Sequence, residues 1–242
     1  MAAPLVLLHG FTQTRRSWGP TIEALDGAPR VLAPDLPGHG SAATRPASFP
    51  ACTAYVRALA DGVFALGGYS MGGRIALAAA LAHPGQVERL VLVGASPGIA
   101  DDEERARRRA ADDALAARIE EIGIEAFARE WAGQPLFAGQ PEPVAAAAHA
   151  DRLRNTPVGL ASALRGLGTG VMDPLWDRLG ELHMPVTVLA GERDEKFRAI
   201  AYRMAERIPQ AEVHIVPGAG HAAQLERHDV VATYLASPAR RR

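Results

Sequence analysis

Gly68-Tyr69-Ser70-Met71-Gly72 sets a serine between glycines in the pattern G-x-S-x-G, after the apolar run Val63–Leu66 and before the alanine-rich helical stretch Met71–His83. The pentapeptide alone occurs by chance in many chains; its setting between strand and helix gives it meaning. A serine in so tight a turn is lifted above the sheet, small flanking residues let strand and helix approach, and the helix aims its amide end at the hydroxyl. The bland alternative is a serine in an ordinary βα turn.

A serine hydroxyl is a poor nucleophile and no base until a second group takes its proton, and that group needs a carboxylate to orient it. For a serine on such a turn the partners follow in the order acid, then histidine, each beyond a later strand. Gly191-Glu192-Arg193-Asp194 follows Val186–Ala190, and Gly218-Ala219-Gly220-His221 follows Val213–Val216. Both segments fall at the carboxyl edge, where Ser70 emerges and where open parallel sheets bind ligands. Of eight histidines, only His221 follows a late strand in a glycine-rich turn; His39, His83, His149, His183 and His228 read as solvated or capping residues. Glu192 and Glu195 compete with Asp194 for the acid, and Asp194 has the usual distance from its strand. Developing oxyanion charge calls for two backbone N–H donors, those of Met71 after the serine and Phe11 after the first strand. His9-Gly10 shapes that second loop, with His9 read as a structural hydrogen-bonding residue.

The elements that must position these groups show as periodic patterns. Leu5–Leu8, Arg30–Ala33, Val63–Leu66, Leu90–Val93, Val186–Ala190 and Val213–Val216 are short, mainly apolar runs, as strands buried on both faces should be. Helical periods at Ala51–Asp61, Met71–His83, Arg198–Ile208 and Ala222–Leu235 alternate with them, the mark of βαβ units in a doubly wound parallel sheet. From 98 to 168 the alternation stops, and Asp102–Ile122, Ile124–Trp131, Val144–Arg154 and Val158–Leu167 are helix-forming. A segment that long must fold on the core. The expected organisation is a core in two parts, 1–97 and 169–242, with a helical cap insertion at 98–168.

Composition limits the function classes. A chain of 242 residues, 48% hydrophobic and 22% charged, can bury a full core without staples. A net charge of -1 offers no global field to nucleic acid or anionic lipid. Cys52, the single cysteine, forms no internal disulfide and no cysteine metal site. No apolar stretch approaches the ~20 residues of a membrane span, and Met1-Ala2-Ala3-Pro4 lacks the basic start of a signal peptide. A cytoplasmic monomer or small homo-oligomer, without metal or organic cofactor, is expected.

On the Ser70 turn, Asp194 and His221, the chain resembles the α/β-hydrolase superfamily over nearly its whole length. The resemblance implies an α/β-hydrolase fold: a mostly parallel doubly wound sheet under a helical cap. That family usually carries a strand hairpin before its His-Gly strand, and Pro4 leaves no room for it, so about six strands are expected with Arg30–Ala33 at an edge. A narrower resemblance lies in Gly68–Arg74, Glu104–Arg108, Leu153-Arg154-Asn155 and Gly191–Phe197, with Trp131 and Gln134–Phe137. These segments are similar to the 2-succinyl-6-hydroxy-2,4-cyclohexadiene-1-carboxylate synthases of menaquinone biosynthesis, lyases that use a hydrolase triad to expel pyruvate from an enolpyruvyl ring precursor. The similarity implies a Ser70, Asp194, His221 triad and a small polycarboxylate substrate held by Arg74, Arg108 and Arg154, with Tyr69 and Trp131 beside it.

Taken as residues alone, the arginines are less decisive. Arg74 lies one helical turn beyond the serine, and its planar fork suits a carboxylate as well as a salt bridge to a cap acid. Arg105, Arg107, Arg108 and Arg109 crowd the same helix turns and can form a solvated face balanced by Asp101–Glu104. Arg154 sits at a helix end, where positive charge is favoured in any case. The same triad could serve a carboxylesterase or a hydrolase of meta-cleavage products. A non-catalytic ligand receptor on the same scaffold would show tight binding without turnover.

Overall fold

The computed structural model describes residues 3–26 and 30–236. Six strands, β1 (Leu5–Leu8), β2 (Val31–Leu32), β3 (Phe64–Tyr69), β4 (Val87–Val93), β5 (Val186–Gly191) and β6 (Ala211–Val216), form one sheet in the order β2-β1-β3-β4-β5-β6. Every pairing among the described residues is parallel, and β2 is the edge next to β1, as expected. The strand alternation sorts side chains between two cores. Val6 and Leu8 join Leu66, Ile75 and Leu92 on one face, while Leu5 and Leu7 join Trp18, Val231 and Leu235 on the other.

Helices α1 (Gly19–Glu23), α2 (Phe49–Arg57) and α3 (Met71–Ala82) flank the first half of the sheet. Helix α2 begins earlier than its period suggests because Ser48 caps it, accepting from the Ala51 amide at 3.3 Å. Strand β3 also runs past Leu66 to Tyr69, delivering its end directly to the serine.

No strand falls between 98 and 168; the segment holds α4 (Asp102–Ala132), α5 (Glu142–Arg152) and α6 (Pro157–Leu167). The break expected between 122 and 124 is a kink inside α4, where Gly123 takes φ 75°. Asp101 caps α4 through the Glu104 amide at 2.7 Å, and Thr156 caps α6 through Gly159 at 3.1 Å. Ala116, Ile119 and Phe127 of α4 pack on Leu160, Ala161 and Leu164 of α6, and Phe11 from the loop after β1 joins this third core. Helices α7 (Glu195–Ala205), α8 (Ala223–Glu226) and α9 (His228–Ala236) complete the chain. The single helix expected over 222–235 is divided at Arg227, which leaves helical backbone at φ −140°. Among the described residues, no helix is long and apolar enough to cross a membrane.

Candidate active site

The turn between β3 and α3 is built around a strained residue. Ser70 takes φ 50° and ψ −108°, one of only two non-glycine positive φ angles among the described residues. Such a conformation costs about 1–3 kcal/mol and persists only where its surroundings over-determine it. Here they do: the Ser70 amide donates to the Val93 carbonyl at 2.9 Å, and its carbonyl accepts from the Arg74 amide at 3.0 Å. A Cβ on Gly68 would collide with the Gly72 carbonyl, and one on Gly72 with the carbonyl oxygens of Leu8 and His9. Both glycines are required by close backbone approach.

Beyond β5 and β6 the remaining groups converge on this hydroxyl. His221 Nε2 lies 3.2 Å from Ser70 Oγ, and His221 Nδ1 lies 2.6 Å from Asp194 Oδ2. Asp194 also caps α7, its Oδ1 accepting from the Phe197 amide at 3.2 Å. The competing acids point elsewhere: Glu192 accepts from the Gly218 amide at 2.8 Å, and Glu195 is exposed in the first turn of α7. His221 is buried between the rings of Phe197, 4.4 Å away, and Tyr69, 5.3 Å away. Glu226, absent from the sequence reading, braces the histidine loop by accepting from the Gly220 amide at 2.8 Å and from Arg193 at 2.6 Å.

The cleft over Ser70 encloses about 230 Å³ and is lined by Phe11, Met71, Arg74, Arg108, Trp131, Lys196 and Phe197, among others. A larger hollow of about 280 Å³, lined by Phe49, Ala78, Met172 and Leu175, reaches neither Ser70 nor His221. Neither the Phe11 amide nor the Met71 amide donates to another group among the described residues. Both residues line the cleft together with Ser70. Trp131 lines the cleft with its Nε1 unpartnered among the described residues and its ring 5.4 Å from that of Phe11.

The arginines separate clearly. Arg74 is 9% exposed and donates to the Leu167 carbonyl at 2.7 Å. Burial, with Arg108 nearby, pushes its guanidinium down to about 10 despite Asp112. Among the crowded arginines of α4, Arg108 is the one that lines the cleft; its Nε donates to Asp112 at 2.8 Å. Arg105 and Arg107 turn to Asp102 and Glu103. Arg154 is not brought to the cleft: its side chain is half exposed and 3.9 Å from Asp151. Arg152, two residues earlier, is the buried one, pushed down to about 10 by desolvation. Tyr69 is buried behind the serine, its ring under Gly10, and does not line the cleft. Burial raises its phenol far above the usual value.

His9 has the structural part expected of it, accepting from the Leu36 amide at 2.9 Å through Nε2. His39 departs from the solvated or capping role: it is fully buried beside His9 and accepts from the Thr12 amide at 3.3 Å. Desolvation, then the neighbouring His9, hold its imidazole down to about 3. Asp151 and Asn155 draw no reading of their own from the sequence, although Asn155 lies within the Leu153-Arg154-Asn155 segment, and both hold the loop after β1. Asp151 accepts from the Thr14 amide at 2.8 Å, and Asn155 donates to the Thr12 carbonyl at 2.8 Å. Among the described residues, no group of three or more His, Cys, Asp or Glu side chains could hold a metal ion.

The model of the alpha/beta hydrolase family matches residues 5–233. A 2-succinyl-6-hydroxy-2,4-cyclohexadiene-1-carboxylate synthase of Salmonella enteritidis is 35% identical over 97% of this chain and 93% of its own. A Bacillus subtilis relative, given the same name provisionally, is 38% identical over 92% of this chain and 85% of its own. The structure of MenH from S. aureus superposes with a TM-score of 0.90 at 36% identity, covering 96% of this chain and 91% of that one. The chain therefore belongs to the alpha/beta hydrolase family and, within it, groups with the 2-succinyl-6-hydroxy-2,4-cyclohexadiene-1-carboxylate synthases.

Proposed function

We propose that the protein eliminates pyruvate from 2-succinyl-5-enolpyruvyl-6-hydroxy-3-cyclohexene-1-carboxylate to give 2-succinyl-6-hydroxy-2,4-cyclohexadiene-1-carboxylate. Ser70, His221 and Asp194 act as a proton-abstracting triad, and the helices of 98–168 serve as a cap over it. The observation that carries this reading is the pairing in one cleft of a serine–histidine–aspartate relay with two arginines, Arg74 and Arg108. A substrate with three carboxylates gives those charges something to hold; a neutral ester does not.

In this mechanism His221 Nε2 takes the Ser70 hydroxyl proton while Asp194 stabilises the imidazolium at Nδ1. The serine oxygen removes a ring C–H proton, and the C–H electron pair moves through the conjugated system. A second ring double bond forms as the bond to the enolpyruvyl oxygen breaks. The proton held on the His221 imidazolium passes, directly or through solvent, to the leaving enolate, which becomes pyruvate and returns the triad to its starting state. No water is consumed and no bond forms to Ser70. Charge that develops on a substrate carbonyl meets the Phe11 and Met71 amides.

The test is incubation of the purified protein with the enolpyruvyl precursor, following pyruvate. Stoichiometric release of pyruvate and the cyclohexadiene product is expected. Efficient hydrolysis of carboxylic esters with no pyruvate would replace this reading with the esterase one. That alternative is not idle, since a thermophilic esterase from Thermogutta terrifontis superposes at a TM-score of 0.78 with 28% identity, covering 97% of this chain and 88% of that one.

A further inference from the structure

Among the described residues, the other non-glycine residue with positive φ is Thr12, at φ 68°. A β-branched side chain in the left-handed region is an outlier that only its surroundings can hold. Thr12 follows Phe11 directly, so its backbone direction helps to set where the Phe11 amide points. All three polar groups of Thr12 are engaged, and each by a distant residue. Its amide donates to His39 Nε2 at 3.3 Å, its carbonyl accepts from Asn155 Nδ2 at 2.8 Å, and its hydroxyl accepts from Arg152 Nε at 3.4 Å. Two of these three partners come from the end of α5 and the residues just after it. Asn155 is itself 4% exposed and fully used, since Nδ2 also donates to the Arg152 carbonyl at 3.1 Å and Oδ1 accepts from the Gly40 amide at 3.0 Å. One carboxamide thus ties the loop after β1, the loop after β2 and the helical segment into one piece.

We infer that Asn155 is a positioning residue: by holding the Thr12 carbonyl it keeps Thr12 left-handed and so keeps the Phe11 amide aimed over Ser70. The inference rests on the reading of Phe11 as an oxyanion donor. Removing such a donor outright slows turnover by about 10²–10³. Mis-aiming it through Asn155→Ala is expected to lower kcat by about ten- to a hundred-fold, with KM little changed, because the ground state does not carry the charge. Glycine adopts positive φ without strain. Adding Thr12→Gly to Asn155→Ala is therefore expected to restore at least tenfold of the loss, while Thr12→Gly alone stays within a few-fold of wild type.

The experiment compares these three variants in kcat and KM for pyruvate release and for hydrolysis of p-nitrophenyl acetate. It also follows the Phe11 amide resonance in protein labelled with [15N]phenylalanine, without ligand. Asn155→Ala should shift that resonance, and Thr12→Gly should bring it back. An unmoved resonance, equal changes in kcat and KM, or no rescue by Thr12→Gly would overturn the inference. A shifted resonance with unimpaired turnover would also overturn it, by removing Phe11 from the chemistry. If wild type releases no pyruvate, the lyase reading fails separately, and the ester assay and the resonance still decide the part of Asn155. Should Asn155→Ala fail to fold, Asn155→Asp keeps the volume and the acceptor for Gly40 while withdrawing the N–H from Thr12.

Discussion

Arg74 carries a buried charge that no carboxylate among the described residues contacts directly, and replacing it should move activity and stability in opposite directions. Desolvation, with a contribution from Arg108, takes its pKa from 12.5 to about 10. At about 1.36 kcal/mol per pH unit, the folded protein carries roughly 3 kcal/mol of unfavourable charge burial at this side chain. Against that stands the hydrogen bond to the Leu167 carbonyl, worth about 1–2 kcal/mol as a bond from a charged donor. Arg74→Met keeps the apolar stem and removes both. The ligand-free protein should gain about 1–2 kcal/mol, a rise in Tm of roughly 2–8 °C for a chain of this size. A bound substrate carboxylate would supply the missing counter-charge, and losing that contact should cost about 1.5–3 kcal/mol, on the order of ten- to a hundred-fold in kcat/KM on the precursor. Urea or thermal unfolding gives the first number and pyruvate release the second. Weak hydrolysis of a neutral ester should change little, and raising the salt should weaken precursor binding more in wild type than in the variant. A variant that loses stability and is impaired equally on both substrates would show that Arg74 supports the fold rather than the substrate.

Ser70→Ala should remove several orders of magnitude of turnover, and Ser70→Ala/His221→Ala should be no worse, because members of a triad act as a unit; steady-state pyruvate assays on both variants check this. Rapid-quench mass spectrometry of wild type on the precursor should find no adduct on Ser70, whereas one that forms and decays at the turnover rate would mark a hydrolase. Stability should be greatest above pH 6.5 and decline as the pH falls towards 3, because unfolded His39 binds a proton at its ordinary pKa of 6.5 while the folded residue resists it down to about 3. His9, also lowered by burial, adds in the same direction. His39, held neutral across this range, contributes a slope of about 1.4 kcal/mol per pH unit, so His39→Gln should flatten the urea-derived curve between pH 6 and 5 by about that amount. Gly72→Ala should destabilise by about 1–3 kcal/mol or more, since its methyl would press on the carbonyls of Leu8 and His9; thermal unfolding measures it.

What the sequence reveals of this protein follows from how local each signal is. The strands are readable because each is a continuous apolar run buried on both faces, and the serine turn because its glycines are needed by contacts a few residues away. Asp194 and His221 are readable because parallel topology puts strand ends on one edge, so a position after a strand is already a position in space. The arginines are harder, since placement there depends on rotation about a helix axis. At 3.6 residues per turn, neighbours two apart point about 200° away from each other. The end of α5 adds a second difficulty: Arg152, its last residue, is turned into the protein against Thr12 and the Ala128 carbonyl, whereas Arg154 falls in the turn beyond the helix and lies half out in solvent. The Leu153-Arg154-Asn155 segment draws attention to the right stretch of chain, but the residues that reach the loop after β1 from it are Asp151, Arg152 and Asn155.

Thr12 lies at the far end of legibility. Nothing in Phe11-Thr12-Gln13 requests a left-handed backbone, and the groups that impose it stand 27, 140 and 143 residues further along the chain. The same long reach bears on the helical segment itself. An insertion that only covered the cleft could rely on apolar contacts of the kind that α4 and α6 make around Phe11. Instead its α5 end places an aspartate on Thr14 and an arginine and an asparagine on Thr12, all buried. Buried polar contacts stabilise only in one geometry and cost about 1–3 kcal/mol each when a partner is lost. On the proposed function, a segment tied down in that way would fix the loop beneath it, and 98–168 would take part in aiming the Phe11 amide as well as in enclosing the substrate.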